Sequence, residues 1–161
     1  MALPLRRVDA AEAAKHPLYG LGGWLALIYL GSALEAVWML LGLVAPMPAL
    51  LGSGDAVATR IIDATLLFLA LPFLVLAPLK HPMMPLITIA CLWTAFGVSL
   101  ASTAMGIVGS GLDGGAALVA MLLFSSGGPS LMEVIGLTWY LLRSRRVNVT
   151  YRHLMPDTRL R

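Results

Sequence analysis

Two glutamates stand inside long apolar stretches of the sequence, where an ionisable side chain is unusual. Glu35 lies past the middle of the first apolar run, and Glu133 lies within the last. An acid at membrane depth costs a few kcal/mol to insert, so it is a functional candidate by default. Three interpretations stay open: a neutral carboxylic acid that hydrogen-bonds a facing helix, a protonation or cation site in a polar cavity, or a contact with a basic partner protein.

Gly128 and Pro129 stand just before Glu133 and predict a hinge. Proline has no backbone N–H, so the carbonyl of Ser125 would be freed close to the Glu133 carboxyl. Broken helices with free carbonyls beside an acid coordinate cations in some transporters. A kink with only a structural role is the alternative.

The elements that carry these residues are four apolar runs in a chain of 161 residues. Hydrophobic residues make up 59% of the sequence and charged residues 12%, against roughly 25% charged in soluble proteins. Because a bilayer requires every backbone polar group to be paired, unbroken apolar runs predict membrane helices rather than strands. We expect an all-α integral membrane four-helix bundle in a single domain, with spans over approximately 22–44, 61–79, 84–108 and 116–142.

Prolines inside the second and fourth spans predict kinks, at Pro72 and at the hinge. For the fourth span, a re-entrant first half followed by a helix is the alternative to one kinked helix. The connection between the second and third spans is short, so these two spans should form an antiparallel hairpin. Arg60 and Asp63 share a helical face three residues apart, which predicts an ion pair at the rim.

Basic residues predict the orientation of the four spans. With both tails, 1–20 and 143–161, on one side, that side carries ten of the eleven Lys and Arg residues and only Arg60 lies opposite. This asymmetry predicts cytosolic termini. Residues after the last span should contact anionic lipid headgroups: Arg143, Arg145, Arg146 and Arg152.

Enzyme and metal chemistry are not indicated. His16, His81 and His153 stand in separate polar segments without metal-ligand spacing, and the single cysteine, Cys91, allows no intrachain disulfide. The serines near the hinge have no base at a fixed spacing. We therefore expect no catalytic residue, no cofactor, no metal and no nucleic-acid partner.

Both ends of the chain resemble a family of small bacterial inner-membrane proteins. The segments Gly20-Leu21-Gly22-Gly23-Trp24-Leu25 and Trp139-Tyr140-Leu141-Leu142-Arg143-Ser144-Arg145-Arg146-Val147, with Thr150-Tyr151, are similar to the ends of the YdgK-like domain of unknown function. The resemblance implies a four-helix protein of the bacterial inner membrane and supplies no activity.

A shorter likeness concerns the first span alone. Tyr29 to Glu35 resembles the first helix of small multidrug-resistance transporters, which are four-helix dimers with a membrane glutamate.

Two functions follow as hypotheses. The first is a non-catalytic accessory, assembly or stabilising subunit of a membrane complex, because little of the chain lies outside the bilayer. The alternative is a small proton- or cation-coupled transporter or channel that acts as a homodimer through Glu35 and Glu133.

Overall fold

The computed structural model of the chain describes residues 5–44, 56–110, 115, 119 and 128–156. Within these ranges the chain is almost entirely helical, which confirms the all-α prediction apart from two three-residue strands. The elements in chain order are β1 (Leu5–Arg7), α1 (Ala10–Ala14), α2 (Trp24–Val44), α3 (Ala56–Leu76), α4 (Met84–Ser110), α5 (Leu131–Arg143), α6 (Arg145–Tyr151) and β2 (Leu154–Pro156).

Two of the described helices are long and apolar enough to cross a membrane, by length and composition. They are α2 and the Met84–Met105 part of α4, and both begin and end close to the predicted bounds.

The helix α3 occupies Ala56–Leu76 rather than 61–79. It ends earlier because the residue before Pro78 is disfavoured in the helical conformation. Pro72 lies inside this helix, and the kink expected there stays a prediction. The expected ion pair between Arg60 and Asp63 is absent.

Neighbouring helices in sequence pack against each other in alternating directions. α2 packs on α3, α3 on α4, and α4 on α5. One core cluster joins the start of α2 and of α4 with the ends of α3 and α5, through Leu25, Met84, Ala77 and Leu141. The hairpin predicted between the second and third apolar runs is therefore present as α3 and α4.

The two ends of the chain fold together beneath this cluster, where the sequence predicted simple tails. β1 and β2 pair antiparallel, with Leu5 opposite Pro156 and Arg7 opposite Leu154, and the Val8 N–H donates to the His153 carbonyl at 2.9 Å. We call residues 5–24 together with 144–156 the terminal cap.

The glycine-rich loop at the start of α2 joins the same cap. Gly20 and Gly23 have φ values of +96° and +56°, which favour glycine. The Gly20 N–H donates to the Thr150 hydroxyl at 3.0 Å. A Cβ at Gly22 would lie 2.8 Å from a guanidinium nitrogen of Arg146. The cap therefore joins the two segments that carry the family resemblance.

The predicted kinked fourth helix differs most from the structure. Gly128 to Ser130 are not helical, and α5 begins afresh at Leu131. With 13 residues and a rise of about 1.5 Å per residue, α5 is about 20 Å long and too short to cross a bilayer core of about 30 Å. Residues 116–118 and 120–127 of the predicted span lie outside the described residues. The expected hinge within one helix is therefore a break between segments.

Candidate functional site

A cavity of about 100 Å³ lies between α2, α3, α4 and α5, with room for a few water molecules. Its walls are mainly apolar, and α3 contributes Leu66, Leu69 and Phe73. The polar or ionisable side chains that line it come from the other three helices: Ser32 and Glu35, Thr88 and Cys91, and Glu133. We call this space, with these residues, the acid cavity.

Ser32 and Glu35 reach the acid cavity because three residues make almost one helical turn and place them on one face of α2. The opposite face carries large apolar side chains that are exposed, among them Leu34, Trp38 and Leu41. Tyr29 attaches this part of α2 to α3, since its hydroxyl donates to the Leu74 carbonyl at 3.3 Å and its ring meets Phe73 edge-on at 5.9 Å.

Glu133 reaches the cavity from the first turn of α5, where it also has a structural role. The Ser130 hydroxyl accepts from the Glu133 N–H at 3.3 Å, and the Ser130 N–H donates to the Glu133 carboxylate at 3.4 Å. These two bonds form a capping box, which satisfies donors that the start of a helix leaves free. A negative charge here is also favoured by the helix dipole.

The two glutamates thus line one cavity although 97 positions separate them in the sequence. Neither carboxyl makes an ion pair in the part of the chain that the structure describes. Two carboxylates that line one mainly apolar space repel each other, and a proton or a cation held between them relieves that repulsion. The arrangement can therefore bind positive charge.

Thr88 adds a hydroxyl that has no partner. The residue lines the acid cavity and is only 6% exposed, but its Oγ1 is fully buried, so the hydroxyl oxygen does not open into the cavity. Three buried side-chain polar atoms lack a hydrogen bond within the described ranges: Thr88 Oγ1, Thr138 Oγ1 and Asn148 Oδ1. Among these three residues, Thr88 is the one that lines the cavity. Leaving a buried hydroxyl unsatisfied costs about 1–3 kcal/mol.

The predicted hinge residues have different roles here. Pro129 lines the acid cavity, directly before the capping box. Gly128 is buried against α4, where an added Cβ would lie 2.6 Å from the Ser99 Oγ and 2.8 Å from its Cβ. The glycine therefore permits close approach of the segment that leads into α5.

The four arginines predicted at lipid headgroups lie around α6. Arg143 and Arg145 are exposed, whereas Arg146 and Arg152 are half-buried. Arg146 is the one that reaches the backbone of the glycine loop. Contact with headgroups stays a prediction for all four.

Sequence reasoning found both acids but missed Thr88, Ser32 and the capping box. A signal for the box was present, because Ser-x-x-Glu before an apolar run is typical of a helix start. Thr88 carried no such signal, since a threonine in an apolar run looks the same whether or not its hydroxyl has a partner.

Metal chemistry has no candidate in this part of the molecule. Across the described residues, no group of three or more His, Cys, Asp or Glu side chains could hold a metal ion.

Comparison with family models, with curated proteins and with solved structures yields no match to this chain.

Proposed function

We propose that this chain is an integral membrane protein whose acid cavity binds a proton or small cation during transport. The observation that carries the proposal is that Glu35 and Glu133, from α2 and α5, line one mainly apolar cavity. An acid pair serving only as helix glue would be expected to hydrogen-bond a facing helix. Among the described residues, the carboxylate of Glu133 instead accepts a hydrogen bond from the Ser130 N–H at the start of its own helix.

The exposed apolar surface supports the membrane location. Along α2, side chains on several faces are exposed, including Trp24 at 72% and Trp38 at 64%. Soluble monomers rarely expose contiguous apolar patches of this kind. Together with the basic asymmetry, this favours a location in a bacterial inner membrane with both termini cytosolic.

We also propose that the chain is related to the YdgK-like family, which it resembles at both ends. The residues that carry it, at Gly20–Trp24 and near Arg146 and Thr150, meet in the terminal cap. Because the two segments that carry the resemblance contact each other, we treat them as parts of one structural feature. It adds no activity.

The location and topology have a direct test. A reporter that is active only outside the cytosol should be silent when fused after Arg161 and active when inserted near Asp55. Activity after Arg161 would contradict cytosolic termini.

Transport is tested in proteoliposomes with an imposed pH or cation gradient. The unmodified chain should catalyse flux, and Glu35→Gln and Glu133→Gln should abolish it while the fold survives. Glutamine preserves size and hydrogen bonding, and at position 133 it also suits a capping box. Asp63→Asn is the matched control, because Asp63 lies on α3 and is not among the cavity-lining residues. Loss of flux in the control, or flux retained in both glutamine variants, would contradict the role of the acids.

An accessory subunit is the second candidate, and the open side of α2 favours it. This helix packs mainly on α3, so a partner helix could cover its exposed tryptophans. Purification in a gentle detergent separates the two functions. Foreign subunits at fixed stoichiometry, with no flux, would favour the accessory role, whereas a homodimer with flux would favour transport.

A further inference from the structure

The acid cavity is open at one end and closed at the other. Glu35 and Glu133 line it and are exposed, so the cavity is accessible at the level of the acids. Phe73 and Leu141 line it as well, but they are only 7% and 3% exposed and belong to the core cluster. Leu141 comes eight residues after Glu133 on α5, which is about 12 Å along the helix. The closed end therefore lies toward the terminal cap.

The terminal cap supplies side chains that close this end. Val147 and Tyr151, both on α6, are fully buried in the same core cluster as Phe73 and Leu141. The Tyr151 hydroxyl also donates to the Ala77 carbonyl, just after α3, at 3.0 Å. The cap thus lies against the helix ends beneath the cavity and separates the cavity from the water on that side.

The cap is joined to the long helices at positions where the backbone is not helical. Ser144 alone separates α5 from α6, with φ −63° and ψ 125°. On the other side of the cap, Gly20 and Gly23 precede or begin the approach to α2 with positive φ values. A change of a few dihedral angles at such positions turns one rigid element against another. The cap, which β1 and β2 hold together, can therefore turn as a unit.

We propose that the terminal cap is a gate that closes the acid cavity toward the cytosol, with Val147 and Tyr151 as its plug and Ser144 as a hinge. The cavity opens to the cytosol when the cap turns away and breaks the bond between the Tyr151 hydroxyl and the Ala77 carbonyl. This inference rests on the proposed function, because it names how the same cavity gains access to the second face of the membrane.

Cys91 is a natural reporter of access to the cavity. It lines the acid cavity and is the single cysteine in the sequence. A membrane-impermeant methanethiosulfonate should label its thiol at a rate that follows the fraction of time for which the cavity is open to the reagent. Inverted vesicles present the cytosolic face of the full chain, and right-side-out vesicles present the other face. Intact-protein mass spectrometry measures the label, and Cys91→Ser provides the blank.

Tyr151→Ala removes the larger part of the plug. Cytosolic labelling of Cys91 should become faster by about ten-fold or more, because a large buried side chain no longer holds the cap in place. Labelling from the other face should stay the same. Unchanged cytosolic labelling would overturn the gate, and so would equal acceleration on both faces, because that would indicate general loosening of the helices. Trp139→Ala is the control, since this aromatic side chain near the end of α5 is 65% exposed and should leave both rates unchanged.

Tyr151→Phe distinguishes a gate that moves from a fixed plug. It keeps the ring and removes the hydroxyl bond to Ala77, so the open state and the cytosolic labelling rate should each rise about five-fold. Tyr29→Phe is the matched control, because it removes a similar bond, from the Tyr29 hydroxyl to the Leu74 carbonyl of α3, outside the cap. Equal rates in Tyr151→Phe and the parent would overturn the movement, as would an equal rise in Tyr29→Phe.

Labelling requires no flux, so the gate and the transport function can fail separately. Cytosolic labelling that depends on Tyr151, in a protein without flux, would support the cap as the closure of the cavity and remove transport. Flux that depends on Glu35, together with cytosolic labelling that does not respond to Tyr151, would leave transport standing and remove the gate.

Discussion

Thr150 in the terminal cap and Thr88 in the acid cavity are both buried threonines in opposite situations. The Thr150 hydroxyl accepts from the Gly20 N–H at 3.0 Å and donates to the Leu18 carbonyl at 3.5 Å. The Thr88 hydroxyl has no partner. Polar groups of the cap mostly hold the chain together, with the side-chain amide oxygen of Asn148 as an exception. In the cavity, the Glu133 carboxylate accepts from its own helix start and the Thr88 hydroxyl has no partner. The two buried threonines therefore differ in that one hydroxyl is a structural contact and the other is unsatisfied.

The largest expected effect comes from a substitution that disrupts the acid cavity and leaves the terminal cap intact. Gly128→Ala should lower the free energy of unfolding by about 3 kcal/mol, because the new Cβ overlaps Ser99 and forces α5 away from α4. Chemical unfolding in mild detergent measures the loss, and tryptophan fluorescence should report the displacement of α5.

Two further variants control this prediction. Gly136→Ala places a Cβ in open space on α5 and should be neutral or stabilising, as alanine favours helices by up to about 1 kcal/mol. Adding Ser99→Gly to Gly128→Ala should recover much of the loss. A Gly128→Ala protein as stable as the parent would show that α4 and α5 do not approach as closely as described.

A pair of valine substitutions tests the contrast itself. Thr150→Val should cost about 2 kcal/mol, because the Gly20 N–H loses its acceptor. Thr88→Val should leave the ligand-free protein as stable or make it more stable, since it removes an unsatisfied hydroxyl. Thermal unfolding of both variants in the same detergent measures the two changes in stability. Losses of the same sign and size in both variants would contradict the contrast between the two threonines.

Tyr151 extends the test to alkaline pH. Burial, with a smaller contribution from nearby Tyr140, raises the pKa of the Tyr151 phenol above its ordinary value of 10.0. The fold thus favours the neutral phenol, whose contribution is complete below about pH 10 and is lost as pH rises through the folded-state pKa.

Tyr151→Phe should therefore cost about 1 kcal/mol at neutral pH, by removing the 3.0 Å bond from its hydroxyl to the Ala77 carbonyl. The same variant should lose less stability than the parent between neutral pH and pH 11. Unfolding curves at both pH values decide the matter, and parallel pH profiles would exclude Tyr151 as the titrating group.

The smallest effect is expected at the glycine loop of the cap. Gly22→Ala brings a Cβ against the guanidinium of Arg146, but that group ends a flexible side chain and can move aside. The stability change should stay within about 0.5 kcal/mol, as at most surface positions. A larger loss, absent when Arg146→Ala is also present, would show that the cap holds this arginine rigidly.

Much of the helical framework was predictable, because a long apolar run can be recognised from neighbouring residues in the sequence alone. The bounds of α2 and α4 follow directly from where apolar residues stop. The start of α3 at Ala56 was missed, since a helix continues through Arg60 and Asp63 although apolarity does not. The break at Gly128–Ser130 was interpreted as a hinge within one helix, because the Ser130–Glu133 capping box was not recognised as the start of a new helix.

Contacts between distant residues were out of reach of the sequence. Nothing local in Leu5–Arg7 or Leu154–Pro156 indicates that they pair, since each strand has only three residues. Likewise, Glu35 and Glu133 could be chosen separately as acids in apolar runs, but their common cavity depends on how α2 and α5 pack around α3 and α4. Burial of the Thr88 hydroxyl is a property of that packing alone.

The two-stranded ribbon formed by β1 and β2 restricts how many times the chain between them can cross a membrane. Residues paired by backbone hydrogen bonds must lie on the same side of any bilayer that the chain crosses, so in the proposed membrane arrangement Arg7 and Leu154 share one face. A chain that leaves a face and returns to it crosses an even number of times. An odd count of crossings between these two residues is therefore incompatible with the ribbon, whatever the distribution of arginine and lysine.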